Sequence, residues 1–380
     1  MSLFTEAHQS FRRRVRQFVN TRLTPNADRW EREAVFPPEL FRELGKAGLL
    51  GLGHDRRYGG QELDFGFDIV LAEELARCKA AGLALSIVAQ NHFFMPLLAR
   101  HGSEQQRREF LAPAIRGEKV GALASTEPGG GTDIVNAIRC EARDHGDDWV
   151  ICGEKKYITN GPIADFIVLL ARTRPEPSTT SLTLIIVPTD TLGFRVREIL
   201  RTLGLHTSPT GWLEFDNCSV PKSLTLGRQN LGFFYATQVF LVERLIGSAS
   251  ALALASLALE DTITYLRNRV AFGEPLSQMQ VIRHRVSEMA AEIEMARRFV
   301  YSVCESYKQG VVEAKEICMI KFQVPELVQD VIRRCLQLHG GYGFLEDNWL
   351  ARAYRDARFL TVGGGATEAM KDMVASYLRL

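Results

Sequence analysis

Glu243 is distinguished from the other carboxylates of the chain by the residues that follow it. Residues 245–259 are almost wholly apolar, and only glycine, serine and alanine interrupt the leucines and isoleucine. A carboxylate buried there without partners would be costly, and desolvation would raise its pKa. A raised pKa makes a carboxylate a better base toward a carbon acid. The alternative interpretation is a solvent-facing Glu243–Arg244 pair at the start of a helix.

Two segments in the middle of the chain have the composition of a ligand-binding loop. Residues 126–133, TEPGGGTD, form a glycine-rich turn whose backbone N–H groups could face an electron-rich ring or a phosphate. The glycine spacing matches neither a dinucleotide fingerprint nor a P-loop, so an ordinary loop is the alternative. Residues 153–161, GEKKYITNG, place an aromatic ring, a hydroxyl and a turn close together, as a flat cofactor requires.

Cysteine and histidine give no pattern of metal binding. The seven cysteines occur singly, without a C-x-x-C pair, which argues against a zinc cage or a disulfide framework and favours reduced thiols in a cytoplasmic protein. His92, His206, His284 and His339 lack the spacing of metal ligands. The sequence therefore predicts no metal site and no catalytic histidine.

The charge balance argues against several kinds of partner. Lysine and arginine number 46 against 45 aspartates and glutamates, so no net basic field would attract nucleic acid or an acidic membrane. We find no apolar run long enough to cross a bilayer, and we expect no membrane insertion. The basic segment FRRRVRQFV near the N-terminus lacks a long apolar stretch and a cleavage site, so an amphipathic helix is favoured over a transit peptide.

Three kinds of segment would position these residues. Residues 1–118 have helical periodicity throughout, whereas residues 119–226 contain short β-type runs separated by Gly, Pro, Asp and Thr clusters. Residues 227–380 return to long helices. The clearest helical stripe consists of Ile282, Val286, Met289, Ile293, Ala296, Val300, Val303 and Tyr307. Residues 172–181 are expected to form the tip of a β-hairpin.

Five motifs in order along the chain resemble those of the acyl-CoA dehydrogenase family. Residues 126–133 and 153–161 are similar to the family patterns T-E-P-G-x-G-[ST]-D and G-x-K-x-[YWF]-I-[ST]-N-G. FPPELFRELGKAGLLGL with RYGG, then YLRNRVAFG and QLHGGYG, resemble its N-terminal region and its two C-terminal signatures. The resemblance implies an α+β fold with an N-terminal helical domain (1–118), a middle β-barrel-like domain (119–226) and a C-terminal four-helix bundle (227–380).

The resemblance also implies FAD as cofactor and assigns residues to it. Residues 123–132 would lie against the flavin, Tyr157 would stack on the isoalloxazine, and Thr159 would bond near flavin N5. Arg269, Gln280 and residues 337–341 would bind the pyrophosphate and adenosine of an FAD in a neighbouring subunit of a homotetramer, a dimer of dimers. The full expected set is Leu123, Ser125, Thr126, Gly131, Thr132, Tyr157, Ile158, Thr159, Arg269, Phe272, Gln280, Gln337, Leu338, Gly340, Gly341, Ala366, Thr367 and Glu368.

The resemblance implies that the catalytic base lies at a different sequence position from that of the commonest family pattern. That pattern carries a glutamate at the position that is Gly364 here, and glycine has no side chain to act as a base. The isovaleryl-CoA and long-chain branches carry it instead in a Leu-x-x-Glu-Arg-Leu type segment, which corresponds to FLVERL at residues 240–245. The resemblance therefore identifies Glu243 as the base. Glu127 and Glu368 are weaker alternatives.

The implied reaction is a concerted α,β-dehydrogenation of an acyl-CoA thioester. Glu243 would remove the α-proton, flavin N5 would accept the β-hydride, and electron-transferring flavoprotein would reoxidise the cofactor. The backbone N–H of Gly364 would stabilise the enolate oxygen, a contribution of about 3 kcal/mol. Thr132, Leu241 and Arg244 are expected to contact the substrate.

Three positions depart from the common family pattern near the thioester or the flavin. They are Pro209 in place of Asp or Asn, Ala366 in place of Thr, and Leu241 in place of Asp. An alternative function is therefore dehydrogenation of an acyl or aminoacyl thioester on a carrier protein. Flavin oxygenase or oxidase chemistry is disfavoured by the carboxylate at Glu243, and an FAD-binding scaffold without turnover is the non-enzymatic alternative.

Overall fold

In the computed structural model, which describes residues 3–380, the N-terminal part of the chain is helical. Asp64 caps the N-terminus of helix α4 (Phe65–Ala76), where its side chain accepts a hydrogen bond from Gly66 N, and almost every residue of α4 is buried. A helix that is buried on nearly all sides belongs in the centre of a fold, and its buried Glu74 is paired with Arg12 and Arg16. The helices are α1 Glu6–Phe18, α2 Thr24–Glu33, α3 Glu39–Lys46, α4 Phe65–Ala76, α5 Ala81–Ala89, α6 Met95–His101, α7 Glu104–Gln106 and α8 Ala112–Ile115.

The middle of the chain forms a mixed sheet, which confirms the predicted β domain. Within the described residues the strand order is β6-β7-β3-β2-β4-β5-β8, and β1 pairs with β4 in parallel. The predicted hairpin is confirmed, since β4 and β5 are antiparallel neighbours. The strands are β1 Gly121–Ala124, β2 Glu141–His145, β3 Asp148–Thr159, β4 Phe166–Arg172, β5 Leu182–Pro188, β6 Phe194–Ile199, β7 Thr210–Pro221 and β8 Thr225–Leu226, with the short helix α9 Ile134–Ala137 between β1 and β2.

Strands β4 and β5 are buried on both faces, which explains their continuous apolar sequences. Alternate residues such as Phe166 and Val168 pack against the helical residues Phe94 and Leu98. The residues between them pack on the other side, where Trp149 belongs to the second cluster. Because successive side chains of a strand point to opposite faces, a strand between two cores is apolar at every position.

The C-terminal part is helical again, and the helical stripe predicted for its second long helix is confirmed. Met289, Ile293, Val300 and Val303 are all buried on α11. The long helix α10 packs against α4, α11 and α12 and so connects the two helical parts. The helices are α10 Gly232–Asn268, α11 Gln280–Lys308, α12 Ala314–Leu338, α13 Trp349–Ala357 and α14 Thr367–Tyr377, with the strand pair β9 Val270–Ala271 and β10 Glu274–Pro275 after α10.

Two helical stretches are long and apolar enough to cross a membrane by length and composition alone. They are Ala81–His101 and Gly232–Asn268, and their most apolar windows are 78% and 56% buried against the rest of the fold. The sequence was predicted to contain no apolar run long enough to cross a bilayer, and by length and composition that prediction is wrong. Their burial is that of core helices, because the apolar side chains are already covered by protein.

Candidate active site

A cavity of about 900 Å³, including its open mouth, lies between α5, α10, α12 and residues 356–364. Its wall is mainly aliphatic, and its charged residues are Glu243, Arg244, Lys321 and Asp356. The other residues that line it are Ala76, Ala81, Ala84, Leu85, Val88, Phe93, Leu205, Gly247, Ser248, Ser250, Ala251, Leu254, Pro325, Phe359, Leu360, Gly363 and Gly364.

The cavity extends along α10. Glu243, Gly247, Ala251 and Leu254 line it at helical spacing, so it follows one face of α10 for three turns, or about 16 Å at about 1.5 Å per residue. Helix α5 runs in the opposite direction, because Lys79, just before α5, forms an ion pair with the distal end of α10. At the end away from Glu243 the wall includes Leu254 and Ala81 of the first turn of α5.

Burial raises the pKa of the Glu243 carboxyl, which makes its ionised form a better base. Desolvation raises the pKa of its carboxyl to about 7, and the positive charges of Arg244 and Lys321 lower it only in part. The side chain is half-buried because it faces the cavity. The alternative of a Glu243–Arg244 surface pair does not describe this geometry, since the Arg244 guanidinium is directed to Gly364, where its Nε donates to the carbonyl oxygen at 3.0 Å.

Gly364 and Glu243 meet at one point of the cavity. A Cβ atom added to Gly364 would lie 3.1 Å from Glu243 Oε1 and 3.5 Å from Lys321 Cε. Gly364 has φ +69°, a conformation that other residues adopt only with strain. The carboxylate of Glu243 therefore occupies the space that a side chain at position 364 would enter. A base carried at position 243 can therefore act at the same point of the cavity as a base carried at position 364.

Lys321 was not identified from the sequence, although it lies beside the proposed base. Its Nζ donates to Leu360 O at 2.7 Å. Burial lowers the pKa of the Lys321 ammonium to about 8, with Glu243 raising it and Arg244 lowering it further. The sequence does carry a signal, because Lys321 lies on the apolar face of α12, between the buried Ile317 and Val324.

The two glycine-rich segments expected to hold the flavin are joined by a buried ion pair. Lys155 Nζ lies 2.7 Å from Glu127 Oε1 and donates to Ser125 O at 3.0 Å. The Glu127 carboxylate also accepts from the backbone N–H groups of Arg139 and Cys140. With its oxygens occupied in this way, Glu127 fixes the loop and is not placed to act as a base.

Tyr157 lies at an irregular, exposed point of β3. The register of β3 with β7 shifts between Lys155 and Ile158, and Tyr157 has φ +64° with 59% of its surface exposed. A bulky residue in this conformation is an outlier of the kind that clusters at ligand sites. Ser125, Thr126 and Thr159 are half-buried, and Leu123 and Ile158 are buried. An exposed ring beside hydroxyl groups fits an isoalloxazine.

The end of β3 is close to the cavity. Asn160 Nδ2 donates to Ser86 O at 2.9 Å, and Ser86 lies on α5 next to Leu85, which lines the cavity. Asn160 N also donates to Pro209 O at 2.8 Å, so the departure at Pro209 leaves this backbone contact in place. The end of β3 is therefore held against α5, one of the helices that border the cavity containing Glu243.

The residues expected to bind the adenosine half of FAD gather at a second, surface cavity. Arg269, Leu338, Gly340 and Gly341 line it together with Leu276, and its aromatic side is the stacked set Tyr265, His339 and Tyr342. An arginine, glycine backbone amides and aromatic rings suit a pyrophosphate and an adenine. Phe272, which is 98% exposed, and Gln280 and Gln337, which are also exposed, do not line it.

Some of the expected contact residues lie outside the main cavity. Leu241 is half-buried against the core, whereas Thr132 and Gly131 are exposed on the loop after β1. Ala366 caps α14, Thr367 is buried, and Glu368 is exposed in the first turn of α14. Within residues 3–380, no group of three or more His, Cys, Asp or Glu side chains could hold a metal ion.

Three family models cover almost the whole chain. Residues 5–118 match the acyl-CoA dehydrogenase N-terminal domain, residues 122–218 the middle domain and residues 230–378 the C-terminal domain. The chain therefore belongs to the acyl-CoA dehydrogenase family. This is a family of FAD-dependent oxidoreductases that carry out α,β-dehydrogenation of acyl-CoA thioesters.

Individual relatives agree with this assignment. The mitochondrial long-chain specific acyl-CoA dehydrogenase of Sus scrofa is 33% identical over 98% of this chain and 86% of its own length. A crystal structure of acyl-CoA dehydrogenase from Geobacillus kaustophilus superimposes with a TM-score of 0.95, at 34% identity and 99% coverage of both chains. A glutaryl-CoA dehydrogenase from Mycobacterium smegmatis in complex with FADH2 has a TM-score of 0.93, at 29% identity and 99% and 95% coverage.

Proposed function

We propose that this chain dehydrogenates a long-chain acyl thioester between Cα and Cβ, with Glu243 as the base. The observation that carries the proposal is the meeting of the Glu243 carboxylate with Gly364 at the polar end of an otherwise apolar cavity. A carboxyl whose pKa is about 7 is partly ionised at neutral pH and is well matched to receiving a proton from carbon.

The residues around Glu243 supply binding and orientation. The Gly364 N–H, on a turn held by Arg244 Nε, is the donor for the thioester carbonyl oxygen. As Glu243 takes the α-proton, the electrons of that C–H bond form the new double bond and hydrogen leaves Cβ with its electron pair. FAD, when bound, supplies the acceptor for that hydride. The aliphatic wall excludes water, which would otherwise compete for the proton.

The depth of the cavity indicates the length of the acyl chain. An extended alkyl chain, with bonds of about 1.5 Å at near-tetrahedral angles, advances about 1.25 Å per bond. The stretch of about 16 Å from Glu243 to Leu254, less about 2 Å for the terminal methyl group, therefore accommodates roughly 12 carbons, with Cα and Cβ counted among them. Small residues on facing helices, Ala84 and Gly247 among them, leave this path open. The proposed substrates are saturated chains of roughly 12 to 14 carbons.

Anaerobic bleaching of the flavin absorbance tests the function directly. Straight-chain acyl-CoA esters of 4 to about 18 carbons are expected to reduce the flavin fastest at about 12 to 14 carbons, the range set by the cavity. The same acyl groups on a phosphopantetheinylated carrier protein test the alternative substrate. An absence of bleaching by every thioester would overturn the proposal and leave an FAD-binding scaffold.

The proposed assembly is a homotetramer in which the second cavity receives FAD from a neighbouring copy. Support comes from the exposed apolar residues near that cavity and on α11, including Phe272, Val281, Met295 and Phe299. A monomer rarely leaves so many large apolar side chains uncovered. Light scattering is expected to give four times the chain mass of 42.6 kDa. A monomeric holoprotein would contradict this assembly.

We propose that electron-transferring flavoprotein is the electron acceptor. We also propose that the enzyme acts in fatty acid metabolism and is located in the cytoplasm. The free cysteines Cys78, Cys140, Cys152, Cys218, Cys304, Cys318 and Cys335 support a reducing compartment. Reoxidation of the reduced enzyme should be faster with electron-transferring flavoprotein than with dioxygen. Cell fractionation of the tagged chain tests the location.

A further inference from the structure

Lys321 is a buried cation whose presence beside the proposed base requires an explanation. It is 7% exposed and lies on the face of α12 that carries the buried Ile317, Ile320 and Val324. An ammonium in such a place loses most of its hydration, and an apolar side chain of similar length would fill the space without that cost. The hydrogen bond that Lys321 Nζ donates to Leu360 O replaces part of that hydration.

Two contacts connect Lys321 to the reacting end of the cavity. Its Nζ donates to the carbonyl oxygen of Leu360 at 2.7 Å, and this residue lies in the segment that leads to Gly364. Its Cε lies 3.5 Å from the position of a Cβ at Gly364, on the side where Glu243 Oε1 lies at 3.1 Å. The ammonium stem and the Glu243 carboxylate therefore flank the same glycine.

The charged groups around Lys321 make it the second cation acting on Glu243. Helix α10 contributes Glu243 and Arg244, and the Arg244 Nε is directed to Gly364 O. Asp356, on α13, lines the same cavity and accepts from Leu205 N at 2.6 Å. On α14 the charged residues Glu368, Lys371 and Asp372 are exposed to solvent.

We propose that Lys321 is a positioning residue for the dehydrogenation: it holds the segment that carries Gly364 and keeps Glu243 ionised when the acyl chain fills the apolar cavity. The inference rests on the proposed function, since it assumes that Glu243 is the base. A bound acyl chain displaces the remaining water and favours the neutral carboxylic acid, which cannot take a proton. The positive charge of Lys321 opposes that change.

The pH dependence of a single turnover tests this role. The positive charge of Lys321 lowers the pKa of Glu243, and an opposite charge within about 4 to 6 Å typically shifts a carboxylate by about one unit or more. Loss of the Lys321 charge should therefore move the acid limb of the profile upward by about one pH unit. Lys321→Met should reduce flavin about tenfold more slowly than wild type at pH 6 and approach the wild-type rate at pH 9. Lys321→Arg should keep the wild-type profile.

The matched control is Lys371→Met, which removes an exposed lysine of α14 that pairs with Glu326. It should leave the rate and the profile unchanged. Equal slowing of Lys321→Met at every pH, or an unshifted profile, would overturn the proposal, because a structural role lowers the rate without moving the acid limb. Activity retained by Glu243→Gln would instead contradict the proposed function itself.

A double variant decides the case in which Lys321→Met does not retain FAD. Glu243→Gln with Lys321→Met removes both charges together, so it should fold and bind FAD if the two charges are coupled. If the double variant also fails to bind FAD while Glu243→Gln alone binds it, Lys321 acts only through packing and the proposal is wrong. FAD content and the unfolding temperature are the readouts, and neither requires turnover.

Discussion

Replacement of Glu243 by glutamine should lower the reaction rate and raise stability at the same time. The two side chains have nearly the same shape, but the amide cannot accept the α-proton. A positioned base contributes at least about a hundredfold to the rate, so flavin reduction by a long-chain acyl-CoA should fall by that factor or more. Substrate binding should be retained, because the apolar wall of the cavity is unchanged.

The stability effect follows from the pKa of Glu243. Burial raises this pKa from 4.5 to about 7, so the folded protein binds a proton between these values that the unfolded chain has lost. The free energy of unfolding therefore falls as the pH rises from 4.5 to about 7, by about 3 kcal/mol in all at about 1.4 kcal/mol per pKa unit. The glutamine variant does not ionise and escapes this loss.

Stopped-flow absorbance and thermal unfolding measure the two effects. At pH 5 the variant and the wild type should unfold at similar temperatures, whereas at pH 8 the variant should unfold a few degrees higher. The wild-type rate of flavin reduction should rise about tenfold between pH 6 and pH 8 as Glu243 ionises. A variant with near wild-type rate, or one less stable than wild type at pH 8, would refute the assignment.

Three further substitutions test other parts of the site. Gly247→Leu should reduce turnover of 12-carbon substrates at least tenfold and spare 4-carbon ones, because a Cβ at position 247 meets open space about 6 Å from Glu243 along α10. The control is Gly247→Ala, which should have little effect on either substrate. Equal losses of turnover for both chain lengths would count against the proposed path of the acyl chain. Lys155→Met should lower the free energy of unfolding by about 3 to 5 kcal/mol and reduce the FAD content, because it leaves Glu127 buried without its partner. An unchanged FAD content, measured by absorbance, would contradict the role of the Lys155–Glu127 pair in holding the flavin-binding loop. Gly364→Ala should cost about 1 kcal/mol of stability, because the backbone at this position has a φ of +69°. It should also slow flavin reduction, because the added Cβ would lie 3.1 Å from Glu243 Oε1. An unchanged rate of flavin reduction would show that Gly364 has no part in the mechanism.

The sequence by itself determined the elements and the identity of the proposed base. Helix α11 follows from the spacing of Met289, Ile293, Val300 and Val303, because an apolar stripe at helical spacing is stable only against a core. The continuous apolar runs of β4 and β5 predicted strands within a middle sheet. The apolar stretch after Glu243 indicated a buried carboxylate, and the resemblance to the acyl-CoA dehydrogenase family identified it as the base in place of position 364. These signals are local, so they can be read without knowing which distant segments meet.

Only the tertiary structure decided what surrounds that base. Residues 243, 321 and 364 come from different segments, and the packing of α10 against α12 brings them together. The raised pKa of Glu243 depends on burial by the whole fold, which the apolar sequence around it only suggested. Lys321 was missed for this reason: a lysine among apolar residues does not reveal its partner until distant segments are packed against it. The length of the acyl cavity has the same origin, since it is set by facing side chains on α5 and α10.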